Sequence, residues 1–173
     1  SRNPTILVDG VPLNMQGFGN LDAIPVNAVE RIEIIRGTGA VLYGTDTLTG
    51  VINIITKQSQ QISASAGYGS RGKRLATLNV SDSKFGMAYT HDRIAERNWY
   101  TAKKTSQGKW MEKNSVMLKY KPNDNLSMRY MLTDNQNDYD KFKALKKTGS
   151  NETNIVFHDL NVAYNNKGLD VTV

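Results

Sequence analysis

Residues 115–132, SVMLKYKPNDNLSMRYML, hold two runs of alternating apolar and polar side chains around a short polar turn. Successive side chains of a β-strand point to opposite sides of the sheet, so such a run has one apolar and one polar face. The turn is rich in Asn and Asp, which favour tight turns. The stretch predicts two antiparallel strands with one shared apolar face, at positions Val116, Leu118, Tyr120, Leu126, Met128, Tyr130 and Leu132.

The same alternation recurs in five further segments after residue 60, and almost no helical pattern lies between them. Seven alternating segments predict a mainly β fold with about seven antiparallel strands. The five further segments are QISASAGYG (61–69), LATLNV (75–80), FGMAYTH (85–91), LNVAY (160–164) and LDVTV (169–173).

The connections between these segments alternate in length. Tight polar turns lie at 81–84, 121–125 and 165–168, and the connection at 69–73 is also short. The two other connections, Arg93–Met111 and Asn135–Thr153, are each roughly twenty residues long. A membrane β-barrel has short turns at one rim and long loops at the other, whereas a soluble sandwich has no reason to keep this parity. We therefore predict part of a transmembrane barrel, with a soluble antiparallel β domain as the alternative.

Composition and charge restrict the class of protein. The chain has 173 residues, 39% hydrophobic residues and no Cys, so a disulfide framework and a thiolate metal site are both excluded. No run of 18 apolar residues predicts a transmembrane helix. The chain begins at Ser1 without Met and stops inside a strand-like pattern, so we expect it to be a piece of a longer protein.

The net charge of +6 is unevenly distributed along the chain. Residues 1–60 hold 4 basic and 5 acidic residues, and residues 61–173 hold 18 basic and 11 acidic residues. This imbalance predicts two regions with different surroundings. A basic surface could also contact nucleic acid, but the sequence has no recognisable nucleic-acid-binding pattern, and we expect no such partner.

The first region contains a glycine-rich turn, IEIIRGTGAVLYG (32–44), that suggests a phosphate-binding loop. A dinucleotide-binding fold needs a helix after the glycines and then a parallel strand with an acidic residue near its end. Only Thr38–Gly50 separates the two strands here, and the strand VINIIT ends at Lys57 rather than at an acid. Nucleotide binding is therefore disfavoured.

Residues 5–57 resemble the C-terminal half of the plug domain of TonB-dependent outer-membrane receptors. The resemblance rests on ILVDGVPL (6–13) and IPVNAVERIEIIRGTGAVLYGTDTLTGVINIITK (24–57), and it is greatest to the catecholate-siderophore and colicin receptor branch. Thr38 stands where a proline is common in the family. The plug positions that carry the resemblance are Asp9, Gly10, Arg31, Glu33, Arg36, Gly37, Tyr43, Gly44 and Gly50.

The resemblance implies two domains, a partial plug of mixed α+β structure at residues 1–57 and the N-terminal barrel strands at residues 58–173. It implies that plug arginines in the segment of Arg31 and Arg36 pair with wall carboxylates. These two arginines lie on opposite faces of one strand, so only one of the two faces can be buried. It implies TonB-dependent uptake of a ferric siderophore in the outer membrane of a Gram-negative bacterium. No catalytic residue, metal site or cofactor is expected.

The resemblance also implies partners beyond the siderophore. These are the TonB energy-coupling complex, through a segment outside this chain, and outer-membrane lipid and lipopolysaccharide. Colicins or phages are further candidates.

Ligand choice is expected to depend on the two long connections, in which cations stand beside aromatic residues. Such a surface suits an anionic aromatic ligand such as a ferric catecholate, because cations offset its charge and rings stack on it. Haem, cobalamin, a surface that merely binds lipopolysaccharide phosphates, and a basic soluble β-rich binding protein stay as alternatives. The candidate ligand-binding residues are Arg93, Arg97, Trp99, Tyr100, Lys103, Lys104, Trp110, Tyr139 and Lys141.

Overall fold

A computed structural model of the chain describes residues 4–13, 21–35, 50–95, 106–143, 146–166 and 169–172. Within these ranges the chain forms two β-sheets and three 3₁₀ turns, Leu21–Ala23, Val26–Ala28 and Ser70–Gly72. The predicted mainly β fold class is confirmed. In the described parts of the chain, no helix is both long and apolar enough to cross a membrane.

The small sheet holds four strands in the order β2-β1-β4-β3. Strand β1 runs parallel to β4 and antiparallel to β2, and β3 runs antiparallel to β4 with a bulge between Val29 and Arg31. The strands are β1 (Thr5–Val8), β2 (Val11–Pro12), β3 (Val29–Ile35) and β4 (Val51–Thr56).

The dipeptide Asp9–Gly10, a typical tight-turn sequence, forms the hairpin that connects β1 and β2. Both residues have positive φ angles, 52° at Asp9 and 82° at Gly10. Glycine adopts this conformation without steric cost, and aspartate is among the few other residues that tolerate it. A short 3₁₀ turn, Val26–Ala28, follows Pro25 and precedes β3.

The large sheet holds seven strands, each antiparallel to the next in chain order. Each of the seven predicted segments corresponds to one of these strands. They are β5 (Gln61–Gly69), β6 (Lys73–Ser81), β7 (Phe85–Ile94), β8 (Ser106–Asn123), β9 (Leu126–Lys143), β10 (Lys146–Asn166) and β11 (Leu169–Thr172).

Two of the predicted tight turns are built by a side chain that accepts backbone hydrogen bonds. Asp82 Oδ1 accepts from the amides of Lys84 and Phe85, both at 2.7 Å. The hydrogen bond from the Phe85 amide, and to a smaller extent that from the Lys84 amide, lowers the pKa of the exposed Asp82 carboxyl. Asn123 Oδ1 accepts from the amides of Asn125 at 3.0 Å and Leu126 at 2.9 Å in the same way. Such Asx turns explain why these connections are tight.

The two faces of the large sheet differ in side chains and in surroundings. The face toward the small sheet, here called the inner face, carries buried small or polar residues such as Asn79, Ser115 and Thr133. The opposite, outer face carries large exposed apolar residues, among them Leu118 and Leu160 at 38% and 68% exposure. An apolar face directed away from the rest of the molecule is what a lipid-facing barrel wall requires.

The predicted loop over Asn135–Thr153 is wrong. Strands β9 and β10 stay paired as far as Lys143 and Lys146 and form a long projecting hairpin. The predicted loop Arg93–Met111 is too long, since β8 already begins at Ser106. The prediction failed because it took apolar alternation as the mark of a strand, and the far ends of β9 and β10 have polar side chains on both faces.

Ion pairs join the projecting strands in addition to the backbone hydrogen bonds between them. Lys109 Nζ lies 3.3 Å from Asp138 Oδ2 and 3.1 Å from Asp140 Oδ1, and Lys147 Nζ lies 2.9 Å from Asp140 Oδ1. Hydrogen bonding to Lys147, and then to Lys109, lowers the pKa of the Asp140 carboxyl. The hydrogen bond to Asp140, and to a smaller extent the one to Asp138, raises the pKa of the Lys109 ammonium group. Asp140 is therefore the centre of the charged contacts at this end of the sheet.

The division into domains at residues 1–57 and 58–173 stays a prediction. The small sheet ends at Thr56 and the large sheet begins at Gln61.

We predict that Asp140→Asn speeds amide hydrogen exchange in the outer half of the β9–β10 hairpin of the full-length protein. The substitution removes the charge that holds Lys109 and Lys147. A carboxyl whose pKa is lowered by folding stabilises the folded state at pH values above the ordinary pKa of the group, and this stabilisation is lost as the pH falls below that value. The wild-type hairpin should therefore also lose protection from exchange below about pH 4.

Asp124→Asn is the control for this prediction, because Asp124 makes an exposed ion pair with Lys121, 3.6 Å long, at the opposite rim. If the wild-type amides of residues 135–152 exchange as fast as those of an unstructured peptide, the segment is a loop and the strand pairing described here is refuted.

Candidate functional site: the contact between the two sheets

The small sheet packs on the inner face of the large sheet through a modest apolar contact. Residues of the small sheet and its 3₁₀ turns meet three buried residues of the large sheet, Ala88, Met117 and Met131. Met131 is fully buried. The contacting residues of the first region are Val8, Leu13, Ile24, Ala28 and Ile54.

Asp9 connects the hairpin turn of the small sheet to the large sheet. Its carboxylate accepts hydrogen bonds from the Thr56 amide at 2.9 Å and from Thr56 Oγ1 at 2.6 Å. Lys119 of β8 donates to Thr56 Oγ1 at 2.6 Å and lies 3.4 Å from Asp9 Oδ2. Asn53 Oδ1 accepts from the Gly10 amide at 3.0 Å. The turn, the end of β4 and one cation of the large sheet therefore form a single hydrogen-bonded cluster.

Arg129 of β9 makes the second charged contact with this hairpin. Its Nη1 donates to the carbonyl oxygen of Val8 at 2.8 Å, and its Nη2 lies 3.4 Å from Asp159 Oδ1 on β10. The Arg129 and Asp159 side chains are 5% and 7% exposed, so the ion pair is buried. Removing one partner of a buried pair leaves an uncompensated charge and typically costs about 3–5 kcal/mol.

Asn27 makes a third polar contact, at the 3₁₀ turn Val26–Ala28. Its Nδ2 donates to the carbonyl oxygens of Leu78 at 2.8 Å and Tyr89 at 3.2 Å, on two adjacent strands. Its Oδ1 accepts from Thr90 Oγ1 at 2.8 Å. One side chain thus bonds to two neighbouring strands of the large sheet.

A cavity of about 410 Å³ lies beside this turn, between residues 24–27 and the inner face of the large sheet. Its polar lining includes Lys73, Thr77, Asp92 and Lys113. The two sheets are therefore in contact around Asp9 and Arg129, and a polar space lies between residues 24–27 and the large sheet near the start of β6 and the end of β7.

Five of the nine plug positions singled out in the sequence are described. Asp9 and Gly10 form the hairpin turn, and Gly50 is buried with a φ of 103°. Arg31 is exposed and lies 2.8 Å from Glu33 and 3.3 Å from Glu30, so it pairs within its own strand rather than with the large sheet. Arg36, Gly37, Tyr43 and Gly44 lie outside the described residues.

Four of the nine candidate ligand-binding residues are described, and none of these four lies in a loop. Arg93 belongs to β7, Trp110 to β8, and Tyr139 and Lys141 to β9. Lys141 Nζ donates to Asn151 Oδ1 at 3.0 Å and stands 6.0 Å from the centre of the Tyr139 ring. The remaining five, Arg97, Trp99, Tyr100, Lys103 and Lys104, lie outside the described residues. The role of all nine in ligand binding stays a prediction.

Three residues of this contact were not predicted from the sequence: Lys119, Arg129 and Asp159. A signal for the first two was present, because each is a cation on the polar face of an alternating strand. Their partners could not be found in the same way, since Val8 and Asp9 are more than 100 residues away in the chain.

We predict that Lys119→Met lowers the free energy of unfolding of the small sheet in the full-length protein by about 1–3 kcal/mol, because it removes hydrogen bonds between charged groups. Arg129→Met should cost more, about 3–5 kcal/mol, because it leaves Asp159 buried and unpaired. The measurement is urea-dependent hydrogen exchange of the β1 amides.

Lys121→Met is the matched control for Lys119→Met. Lys121 lies two residues further along the same strand, and its exposed ion pair with Asp124 should contribute less than about 1 kcal/mol. Equal effects of the Lys119 and Lys121 substitutions would show that the cluster at Asp9 does not hold the small sheet.

Comparison with known proteins gives a family match in the first region. Residues 1–51 match the family model described as the TonB-dependent receptor plug domain. The vitamin B12 transporter BtuB of Vibrio vulnificus (strain CMCP6) is 39% identical over 85 residues, which cover 47% of this chain and 14% of that protein. The chain thus spans a small part of the length of this curated relative.

Similar solved structures cover nearly the whole chain. They include the FpvAI–pyocin S2 complex, at TM-score 0.50 and 14% identity over 94% of this chain and 26% of that one. The ferric enterobactin receptor PfeA of Pseudomonas aeruginosa matches at TM-score 0.48 and 17% identity over 99% of this chain and 32% of that one. At these identities the likeness concerns the fold alone.

Proposed function

We propose that the chain forms plug and wall parts of a TonB-dependent outer-membrane receptor that takes up a scarce ligand with energy from the TonB complex. The proposal is supported by the match of residues 1–51 to the plug domain of these receptors. In this proposal residues 1–57 belong to the plug and residues 58–173 to the barrel wall. The receptor releases the ligand unchanged, so no residue is assigned a catalytic role.

The observation that carries the proposal is the position of the small sheet on the inner face of the large sheet, whose outer face is apolar. A wall with lipid on one side and a plug on the other leaves a solute no open path, so the plug has to move for the solute to pass. The contacts suit such a movement. Lys119 and Arg129 make directional bonds that water can replace, while the apolar part of the contact involves few wall residues.

We propose a ferric siderophore as the ligand, with a catecholate as the favoured class. The support comes from cations and rings at the projecting end of the sheet, where Lys141 stands beside Tyr139. Lys109 and Lys147 are already paired with Asp140. Lys141 and Lys146 are exposed, and no ion pair involving either is recorded in the described ranges, which makes these two lysines the best candidates for an anionic ligand.

A second candidate ligand is cobalamin, and the observation in its favour is the 39% identity to a vitamin B12 transporter. Haem has no comparable support. The two histidines lie on the outer face, where His91 Nδ1 is 2.9 Å from Asn114 Oδ1 and His158 Nδ1 is 2.8 Å from the Tyr130 hydroxyl. Colicins or phages stay proposed protein partners.

The proposal is tested by uptake in cells that express the full-length receptor and lack other receptors for the same ligands. We expect radiolabelled iron to accumulate from a ferric catecholate when TonB is present and not when it is deleted, and we expect no accumulation of cyanocobalamin. Accumulation of cyanocobalamin instead would replace the proposed ligand by the second candidate. Uptake of either compound at the same rate without TonB would refute energy-coupled transport.

We further predict that Lys141→Gln with Lys146→Gln slows association of a ferric catecholate with the purified receptor. The effect should be several-fold at low salt and should shrink above 0.1 M salt, where the Debye length falls to about 10 Å. Lys84→Gln with Lys121→Gln removes the same charge at the opposite rim and serves as the control. Equal association rates for the two variants would exclude the projecting hairpin as a ligand-capture surface.

A further inference from the structure

Two cations face each other on the inner face of the large sheet. Lys119 of β8 and Arg129 of β9 are directly opposite in the register, and residues so paired have Cα atoms about 4.5–5.5 Å apart. Like charges at directly opposed positions destabilise a sheet. Both side chains are also largely removed from water, at 14% and 5% exposure. The pair is therefore stable only with negative charge beside it.

The negative charge beside this pair comes from both sheets. Asp159 of β10 lies 3.4 Å from Arg129 and belongs to the large sheet. Asp9 lies 3.4 Å from Lys119 and belongs to the small sheet. Within the described ranges these are the recorded ion pairs of the two cations. Two cations and two carboxylates therefore balance while the sheets are in contact.

This balance is lost when the small sheet moves away. Asp9 leaves with the hairpin turn and Asp159 stays, so two cations face one of their two carboxylates on the large sheet. The Val8 carbonyl and the Thr56 hydroxyl, which accept hydrogen bonds from the two cations, leave as well. The movement therefore uncovers one unbalanced positive charge, together with hydrogen-bond donors, on the face past which a solute would travel.

We propose that Lys119 and Arg129 form a transit site, a place on the wall that binds the anionic groups of the ligand during passage, and that the Asp9 carboxylate occupies this site while the small sheet is in place. The ligand class is an oxygen-centred anion, such as a carboxylate, a phosphate or a catecholate. The proposal rests on the proposed function, because it requires a small sheet that moves and an anionic ligand. Guanidinium binds anionic oxygens in pairs, and lysine adds a rotatable point charge.

The position of the transit site suits a late step of passage. Lys119 lies four residues before Asn123, whose side chain builds a tight turn, and short turns mark the periplasmic rim of a barrel. Lys73 and Lys113, with Asp92, line the cavity on the same face. Lys113 is six residues from Lys119, about 20 Å along the strand. The inner face thus presents cations at two levels, and the transit site is the one nearer the periplasm.

The site is tested by removing the Asp9 carboxylate from the full-length receptor and offering a small carboxylate in its place. Asp9→Gly keeps the turn, since Gly-Gly is also a favoured hairpin sequence and glycine accepts the φ of 52° at this position. The probe is formate at constant ionic strength, and the measurement is amide hydrogen exchange of β1. We expect faster exchange than in wild type, and we expect formate to slow it roughly tenfold in a saturable manner.

Three controls separate a built anion site from a general effect of salt. Formate should leave the wild type unchanged, because Asp9 already fills the site. It should leave Asp9→Asn unchanged, because the neutral amide occupies the same space. It should also leave Asp9→Gly with Lys119→Met unchanged, because one of the two cations is missing. An equal effect of formate on wild type and Asp9→Gly, or no effect on either, would overturn the proposal.

Uptake tests the role in passage separately. Lys119→Gln removes the wall cation and Lys119→Arg keeps it, whereas Thr56→Val loosens the same contact and leaves the cation in place. At saturating ferric catecholate we expect Lys119→Gln to lower the maximal TonB-dependent rate several-fold with unchanged binding at the cell surface. Lys119→Arg should restore most of the rate, and Thr56→Val should lower it less than Lys119→Gln does.

Two results would contradict the role in passage. Wild-type rates in Lys119→Gln would show that the wall cation is not used, and an equal loss of rate in Thr56→Val would show that only the strength of the contact matters. If the wild type transports no catecholate, the proposed function fails, while the formate measurement still decides whether the wall has an anion site.

Discussion

Two cations on the inner face of the large sheet, Lys119 and Arg129, determine where the small sheet lies. A cation removed from water is stable only when it is paired and hydrogen-bonded. Both find partners on the small sheet, Arg129 at the Val8 carbonyl and Lys119 at Thr56 and Asp9. Without the small sheet, Lys119 would lose both Thr56 and Asp9, and Arg129 would keep Asp159 alone. The small sheet therefore completes the hydrogen bonding of the inner face of the large sheet.

The same contacts suit the proposed plug, which has to be both retained and movable. A large apolar interface would hold the small sheet by a free energy that grows with buried area. The inner face instead presents mostly small and polar side chains, such as Ser115 and Thr133, beside a few apolar ones. Bonds of Asn27, Lys119 and Arg129 fix the register of the two sheets, and water can satisfy the same groups when the sheets separate.

The features that could be predicted from the sequence are those formed by residues close together in the chain. The Asp9–Gly10 turn and the seven strands were predictable because turn chemistry and alternation act between near neighbours in the chain. The contacts of Lys119 and Arg129 were not predictable, because their partners lie between 30 and 121 residues away in the chain. The hairpin around Asp140 was predicted as a loop because its strands are stabilised by backbone pairing and charge, with no apolar face to reveal them.

The outer face follows from the same alternation. Its apolar residues, including Leu118, Tyr120 and Leu160, are exposed and suit contact with lipid. One pattern of alternating residues therefore provides both the polar face toward the small sheet and the apolar face on the opposite side.

The most direct test of this account is an experimental structure of the full-length receptor without ligand, at a resolution that shows side-chain atoms. The account predicts that Lys119 Nζ lies within hydrogen-bond distance of Thr56 Oγ1 and near Asp9, and that Arg129 donates to the Val8 carbonyl oxygen. A structure in which both cations face water, with the hairpin of residues 5–12 away from strands β8 and β9, would contradict it.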